Sequence, residues 1–240
     1  MTTTDALNPM FLFPPQPLEI AVRSVRSPTG HGRSENQDNY LVIDTQGWAH
    51  MLWRERETQL RLAEWPTGHR RLAVLDGMGG HSHGREAAEK AVEGLLDLPA
   101  TMDLDSISRN LDALHCRLYR QFQAAGLETG CTLTLLEIPS SGPALLFHVG
   151  DSRLYAVNTR RAQCLTIDHV PATHMALLGL IDSANWMQYV HVKTNSQISQ
   201  AFILGSTLGA SQLYSEAIAE DLFALHEGNL PLFLRGLGDR

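Results

Sequence analysis

A carboxylate that ends an apolar run and precedes a glycine turn is the chemistry-bearing feature around which this chain is arranged. In Leu72-Ala73-Val74-Leu75-Asp76-Gly77-Met78-Gly79-Gly80 the run stops at Asp76 and the backbone turns. Apolar residues then recur at Ala87, Ala88, Ala91, Val92, Leu95 and Leu96, the spacing of one helix face. Asp76 is therefore expected at the end of a buried strand, just before a sharp turn. Glycines permit positive φ and let a backbone approach a ligand closely. A carboxylate beside an accessible carbonyl is a hard-oxygen site suited to Mg2+ or Mn2+. A solvated aspartate in a strand-to-helix connection is the alternative.

Three further blocks flank it. Arg33-Ser34-Glu35-Asn36-Gln37-Asp38-Asn39 lies upstream; Gly150-Asp151-Ser152-Arg153-Leu154-Tyr155 and Leu165-Thr166-Ile167-Asp168-His169 lie downstream. In this order the blocks resemble the metal-dependent Ser/Thr protein phosphatases of the type 2C (PPM) family, from about Val22 to His169 and more weakly to about Gly228. The chemistry of such enzymes is demanding, because a phosphate ester is a poor electrophile toward water at neutral pH. Two divalent cations acidify a bridging water and offset charge as the attacking and leaving oxygens move in line. Such a pair needs carboxylates from separate strand ends converging at one rim, and Asp38 and Asp76 meet that need.

The resemblance implies roles residue by residue. Asp38 and Asp76 match the metal-binding aspartates, and Gly77 the glycine that lends its carbonyl. Asp151 matches an aspartate that helps bind a further, weaker ion in bacterial members, and a turn residue in a Gly-Asp-Ser hairpin is its alternative. Arg33 matches the arginine that holds phosphate oxygens; a planar guanidinium clamps a tetrahedral oxyanion through two hydrogen bonds. Arg153 and the Asp168-His169 pair are expected to be structural, His148 to be packed and hydrogen-bonded, and His81 and His83 to lie in a solvated turn.

The chain also departs from the family pattern. Gln37 and Met78 stand where eukaryotic members have glutamate and a histidine proposed as general acid, and bacterial members often share both substitutions. No general acid is assigned. The late Asp-Gly pair is met by Glu227-Gly228 if Leu204–Gly209 is the family's Leu-Thr-Arg-Ala-Leu-Gly element. Glu227 is then either a metal ligand or a surface turn. If Leu234–Gly238 is that element instead, no late carboxylate remains. The C-terminal Asp-Asn pair is absent on either alignment. The implied activity is hydrolysis of phosphoserine or phosphothreonine in proteins by a metal-activated water, with Mn2+ or Mg2+. The implied partners are a phosphorylated protein and a cognate Ser/Thr kinase pathway. The alternative is a catalytically impaired pseudophosphatase that binds phosphoproteins or scaffolds a partner.

Composition sets the frame. The 240 residues are 43% hydrophobic and 19% charged, which suits one globular domain with a sizeable core. A net charge of −7 argues against nucleic acid as a partner. The 3 cysteines, Cys116, Cys131 and Cys164, lack metal-type spacing and read as cytosolic thiols. No apolar run reaches the length of a membrane span, and the start lacks a signal peptide's basic region, so a cytoplasmic protein is expected.

Positioning the carboxylates falls to a definite set of elements. Residues 1–17 read as an arm and 18–240 as the phosphatase-like domain. Leu18–Val25 and Tyr40–Ile43 read as strands, and Trp48–Arg71 as an inserted charged hairpin or loop whose charge run is a solvated face, with a recognition arm for a protein partner, suggested by Trp48, Trp53 and Trp65, as the alternative. Helices are expected over Gly84–Leu96 and Leu104–Ala125, the second with Ile107, Leu111, Leu114, Leu118 and Phe122 on one stripe and Asp103 or Asp105 at its start. Gly130–Leu136 and Ala144–Val149 follow as strands, and Arg153–Val157 as the return arm of a hairpin. Met175–Leu180 reads as helix, Trp186–Val192 as strand. Strands, then two helices, then strands predict an α+β fold: an antiparallel β-sandwich flanked by α-helices, type 2C phosphatase-like and incomplete at the C-terminus.

Overall fold

Six antiparallel strands bring the separate motifs onto one sheet. The structure, a computed structural model, describes residues 18–26, 35–78, 83–101, 103–142, 144–192 and 208. The strands are β1 (Asp38–Ile43), β2 (Trp48–Trp53), β3 (Arg56–Arg61), β4 (Arg70–Asp76), β5 (Leu133–Ile138) and β6 (Leu145–Val149), in spatial order β3-β2-β1-β4-β5-β6. Register follows apolar alternation. Met51 faces Leu41, Leu41 faces Ala73, Ala73 faces Leu135 and Leu135 faces Phe147, one continuous stripe across five strands. A slip by one residue would turn that stripe to the other face, so burial specifies the register.

Two helices cover the stripe. α1 (Gly84–Asp97) presents Ala87, Ala88 and Ala91 to the sheet, and α2 (Leu104–Ala124) buries all five residues of its predicted stripe against the same core. Asp103 caps α2 by accepting from the Ser106 N–H at 3.0 Å. The opposite sheet face is partly open at its centre, where Val74 is 45% exposed.

Within the expected Trp48–Arg71 insertion, β2 and β3 form a hairpin that joins the main sheet through β2 and leaves β3 at the edge, while Arg70 and Arg71 already belong to β4. The β3 sequence Arg-Glu-Thr-Gln-Leu-Arg puts charge on that edge, which discourages pairing with another chain.

Three expectations need correction. Among the described residues, 18–25 form no strand: alternation supplies a face, but no described edge pairs with it, and Leu18, Ile20, Val22 and Val25 are exposed. Arg153–Val157 does not return along β6. Instead β7 (Tyr155–Val157) pairs with β8 (Ala162–Cys164), because the Asn158 side chain accepts from the Arg160 and Arg161 N–H groups and closes the turn there. Residues 186–192 are helical rather than extended. α3 (Pro171–Leu177) is followed by α4 (Ser183–Met187) and a π-helical turn (Gln188–Val192). Asp182 caps α4 by accepting from the Asn185 N–H at 2.7 Å, a local start signal that outweighs the aromatic and β-branched content after it. The expected N-terminal arm, residues 1–17, lies outside the described residues.

Candidate functional site

The sheet places Asp38 and Asp76 directly opposite one another. Asp38 opens β1 and Asp76 closes β4, and the two are partners in the ladder. Opposed residues of an antiparallel pair share a face. Leu75 points into the helix-covered core, so its neighbour Asp76 rises from the other face, with Asp38 beside it. Both residues are exposed. Like charges opposite one another cost about 0.2–1 kcal/mol, and a cation between them reverses that sign. Two carboxylates at neighbouring strand ends are hard-oxygen donors, which fits Mn2+ or Mg2+.

Gly77 is a glycine for a steric reason. A Cβ there would lie 2.1 Å from the Gly84 carbonyl oxygen and 2.9 Å from that of Gln37. The Gly77 N–H donates to the Gln37 oxygen at 3.1 Å, which locks the turn after Asp76 to the segment before Asp38. Gly77 also bridges to Cys131, and Cys131 in turn to Leu208 through two backbone hydrogen bonds of 3.1 and 2.8 Å. Leu208 is thus seated beside the site. The Cys131 thiol is fully buried, and burial, followed by the charge of Asp76, pushes its pKa up, so it is inert.

Asp151 follows a tightly held turn. Gly150 has φ of 110°, and a Cβ on it would meet Thr132 Cγ2 at 2.5 Å. Its carbonyl accepts from the His169 N–H at 2.8 Å and from His148 Nε2 at 3.1 Å, and its N–H donates to His169 Nδ1 at 3.3 Å. The tautomers follow from those partners: His148 carries its proton on Nε2, and its Nδ1 accepts from the Thr134 hydroxyl at 2.8 Å. Burial holds both rings neutral, His148 down to about 4 and His169 to about 3, with repulsion from His148 adding to the latter. The half-buried Asp151 carboxyl is pushed up, first by burial and then by the charge of Asp168.

Thr132 ties the two turns together. Its hydroxyl accepts from the Asp76 N–H at 2.9 Å and is 2.7 Å from Ser152 Oγ. The spacing of Gly130–Leu136, expected only as a strand, does not reveal that one hydroxyl touches both carboxylate-bearing segments. Arg153 grips Asp168 through bonds of 2.9, 3.1 and 2.5 Å and donates to the Val190 carbonyl at 2.9 Å, the structural role expected of the pair. His148 is the packed, hydrogen-bonded histidine it was expected to be. His83 sits at the N-cap of α1 without a side-chain cap bond, and its carbonyl accepts from Thr129 Oγ1.

Of the sequence candidates, Asp38, Asp76 and Gly77 are brought together, and Asp151 is linked to them through Ser152 and Thr132. Arg33, Glu227 and His81 lie outside the described residues. Among the described residues no group of three or more His, Cys, Asp or Glu side chains gathers at one point. Also among them, no helix is long and apolar enough to cross a membrane.

Solved structures share this fold. The serine/threonine phosphatase Stp1 from Staphylococcus aureus matches 82% of this chain over 73% of its own, with a TM-score of 0.56 and 20% identity. The S. agalactiae serine/threonine phosphatase matches 85% of this chain over 88% of its own, at 0.53 and 18%. A bacterial serine phosphatase matches at 0.53 and 21% identity, and the chain spans 66% of that protein's length. No family model and no curated protein sequence matches the chain. The α+β architecture of these bacterial phosphatases is therefore the fold of this chain.

Proposed function

We propose that this chain is a Mn2+- or Mg2+-dependent protein serine/threonine phosphatase. One observation carries the reading: Asp38 and Asp76, at the ends of adjacent strands, stand directly opposite each other beside a glycine that tolerates no side chain. The fold shared with bacterial Ser/Thr phosphatases supports it.

Asp38, Asp76 and the Gly77 carbonyl would hold the metal, Asp151 a further ion, and Glu227 would stand in for the family's late aspartate. When bound, the divalent cations supply Lewis acidity, acidifying water and offsetting negative charge at phosphorus. The chain's own residues do the rest. Arg33 clamps the phosphate oxygens, Thr132 fixes the Asp76 backbone, and the Gly77–Gln37 hydrogen bond keeps the two aspartate segments together. The bridge from Cys131 to Leu208 favours the alignment in which Leu204–Gly209 precedes the final motifs and Glu227 is the late carboxylate. The substrate is a phosphorylated protein in a Ser/Thr kinase pathway of the cytoplasm.

A second reading, a pseudophosphatase that binds phosphoproteins, is favoured by the sequence, where Glu227 would stand in place of the family's late aspartate. Hydrolysis of a phosphothreonine peptide, titrated with Mn2+ and compared with Asp76→Asn, separates the two. Metal-dependent turnover that vanishes in the variant supports the enzyme. A folded protein that does not turn over at any Mn2+ concentration, yet binds the phosphopeptide by calorimetry, overturns it in favour of the binding module.

A further inference from the structure

The tip of the β2–β3 hairpin is built against backbone preference. It turns through Arg54 and Glu55, both left-handed at φ of 51° and 61°. Asn and Gly adopt that geometry at little cost; Arg and Glu do not. Such a backbone persists where the surroundings over-determine it. Here they do so through a chain of contacts that leads to the candidate site.

The Arg54 N–H donates to Glu89 Oε1 on α1 at 2.8 Å. The same oxygen accepts from Arg85 Nη1 at 2.9 Å, and Arg85 Nε donates to Glu35 Oε2 at 2.8 Å. Glu35 precedes Asp38 in the same short segment. A second fastening lies on the other side of Asp38. The Asn39 side chain donates to the Leu52 carbonyl and accepts from the Leu52 N–H, both at 3.0 Å and both buried. The strand end that carries Asp38 is thus held to the hairpin from two directions, once through Asn39 and once through Glu89, Arg85 and Glu35.

Magnitude decides what such a relay is for. The Arg85, Glu35 and Glu89 side chains are 30%, 24% and 7% exposed. Glu89 is buried and is also held by the Arg54 N–H, whereas the Arg85–Glu35 pair is partly open to water and adds little to stability. Its value is geometric, since a guanidinium with two carboxylates on separate arms fixes the orientation of both.

We infer that Arg85 and Glu89, braced by the hairpin tip, are positioning residues that fix the Glu35–Asp38 segment and hold the Asp38 carboxylate opposite Asp76. The consequence for metal binding rests on the function proposed above; the clamp itself does not. The hairpin is then a support for the site, and its distorted tip is the anchor point.

The test compares Arg85→Ala and Arg85→Lys with Lys90→Ala, a control on the same helix whose partner is Glu93 at the surface. Two readouts are taken on the full chain: hydrogen exchange at the Asp38 and Gly77 amides, and Mn2+ affinity by calorimetry. Arg85→Ala is expected to exchange about tenfold faster at both amides and to bind Mn2+ about 10–100-fold more weakly, the usual range for partners that orient a ligand. Arg85→Lys, which keeps one arm, falls between. Exchange and affinity equal to those of Lys90→Ala overturn the inference. If the wild-type chain binds no Mn2+, the metal reading fails alone, and exchange still decides the clamp. Should Arg85→Ala not fold, Glu35→Gln carries the same comparison with the same two outcomes.

Discussion

The two ends of β4 use charge in opposite ways. At its start Arg71 faces Glu137 across β5; at its finish Asp76 faces Asp38 across β1. Arg71 is fully buried and every arm is used. Nε reaches Glu137, Nη1 the carbonyls of Leu95 and Leu98 at 2.5 and 2.9 Å, and Nη2 that of Pro99 at 3.1 Å, so one side chain closes the C-terminus of α1. His69 approaches the other Glu137 oxygen at 2.5 Å, and the Trp65 ring lies 5.1 Å from the guanidinium. The other end sets like charge against like on the exposed face. Opposite signs, buried and saturated, serve folding. Like signs, opposed at a strand end, are where the proposed cation would be held. Arg71 and Asp76 lie five positions apart, an odd step, so pleating sends them to opposite faces and keeps the two uses apart.

Substitutions at each end should therefore have inverse signatures. Asp76→Asn should weaken Mn2+ binding by more than 100-fold, beyond the range seen for residues that merely orient ligands. Without metal it should unfold no more easily than wild type, because a like-charge opposition worth about 0.2–1 kcal/mol is gone. Calorimetry and urea denaturation read the two effects. Glu137→Ala should do the reverse. Removing one partner strands the buried Arg71 charge and costs about 3–5 kcal/mol by urea denaturation, while the Mn2+ affinity of the folded protein holds. If Glu137→Ala weakens Mn2+ as much as Asp76→Asn, the ends are coupled and the comparison breaks.

Local signals were legible and partners were not. Both long helices were expected within a residue or so of their ends, because apolar spacing and the Asp103 cap are local. Asp38 and Asp76 were expected at strand ends, but not that they face each other, since register depends on which strand lies beside which. Residues 18–25 alternate well and still find no ladder among the described residues. The Arg85–Glu89 pair at i,i+4 is readable from spacing; Glu35, fifty positions away in sequence, is not. The same holds for His148 and His169, which meet at 5.2 Å between ring centres only after β6 and the following loop are in place.

Those histidines add a pH test that sharpens the contrast between buried groups and the open rim. Each is neutral in the fold and takes a proton readily only when unfolded. Their surroundings are one another, the Thr134 hydroxyl, the Gly150 backbone and the Asp168 carboxylate. Stability should be complete above about pH 6.5 and decline as pH falls toward about 4 for His148 and about 3 for His169, because protons favour the unfolded chain in that window. The loss should be on the order of a few kcal/mol. Asp151 works the other way, since a raised carboxyl favours the fold as it protonates, and shortens the decline. Urea midpoints from pH 7 to pH 4 check the slope, and a flat profile would show that the rings are already solvated.

The smallest expected effect addresses the join between the two aspartate turns. Thr132→Val keeps the shape of the strand but removes the hydroxyl between the Asp76 N–H and Ser152 Oγ. Leaving that N–H without its acceptor should cost about 1–2 kcal/mol. A purely structural threonine would show this loss and nothing more. A threonine that aligns the rim should also weaken Mn2+ at Asp76, and Thr132→Ser, which restores the oxygen without the methyl, should recover the affinity ahead of the stability. The methyl carries the packing, as Cγ2 is the atom that a Cβ on Gly150 would strike. Divergence between Ser and Val in calorimetry, against near agreement in urea, would place Thr132 with the open end of β4 rather than the buried one.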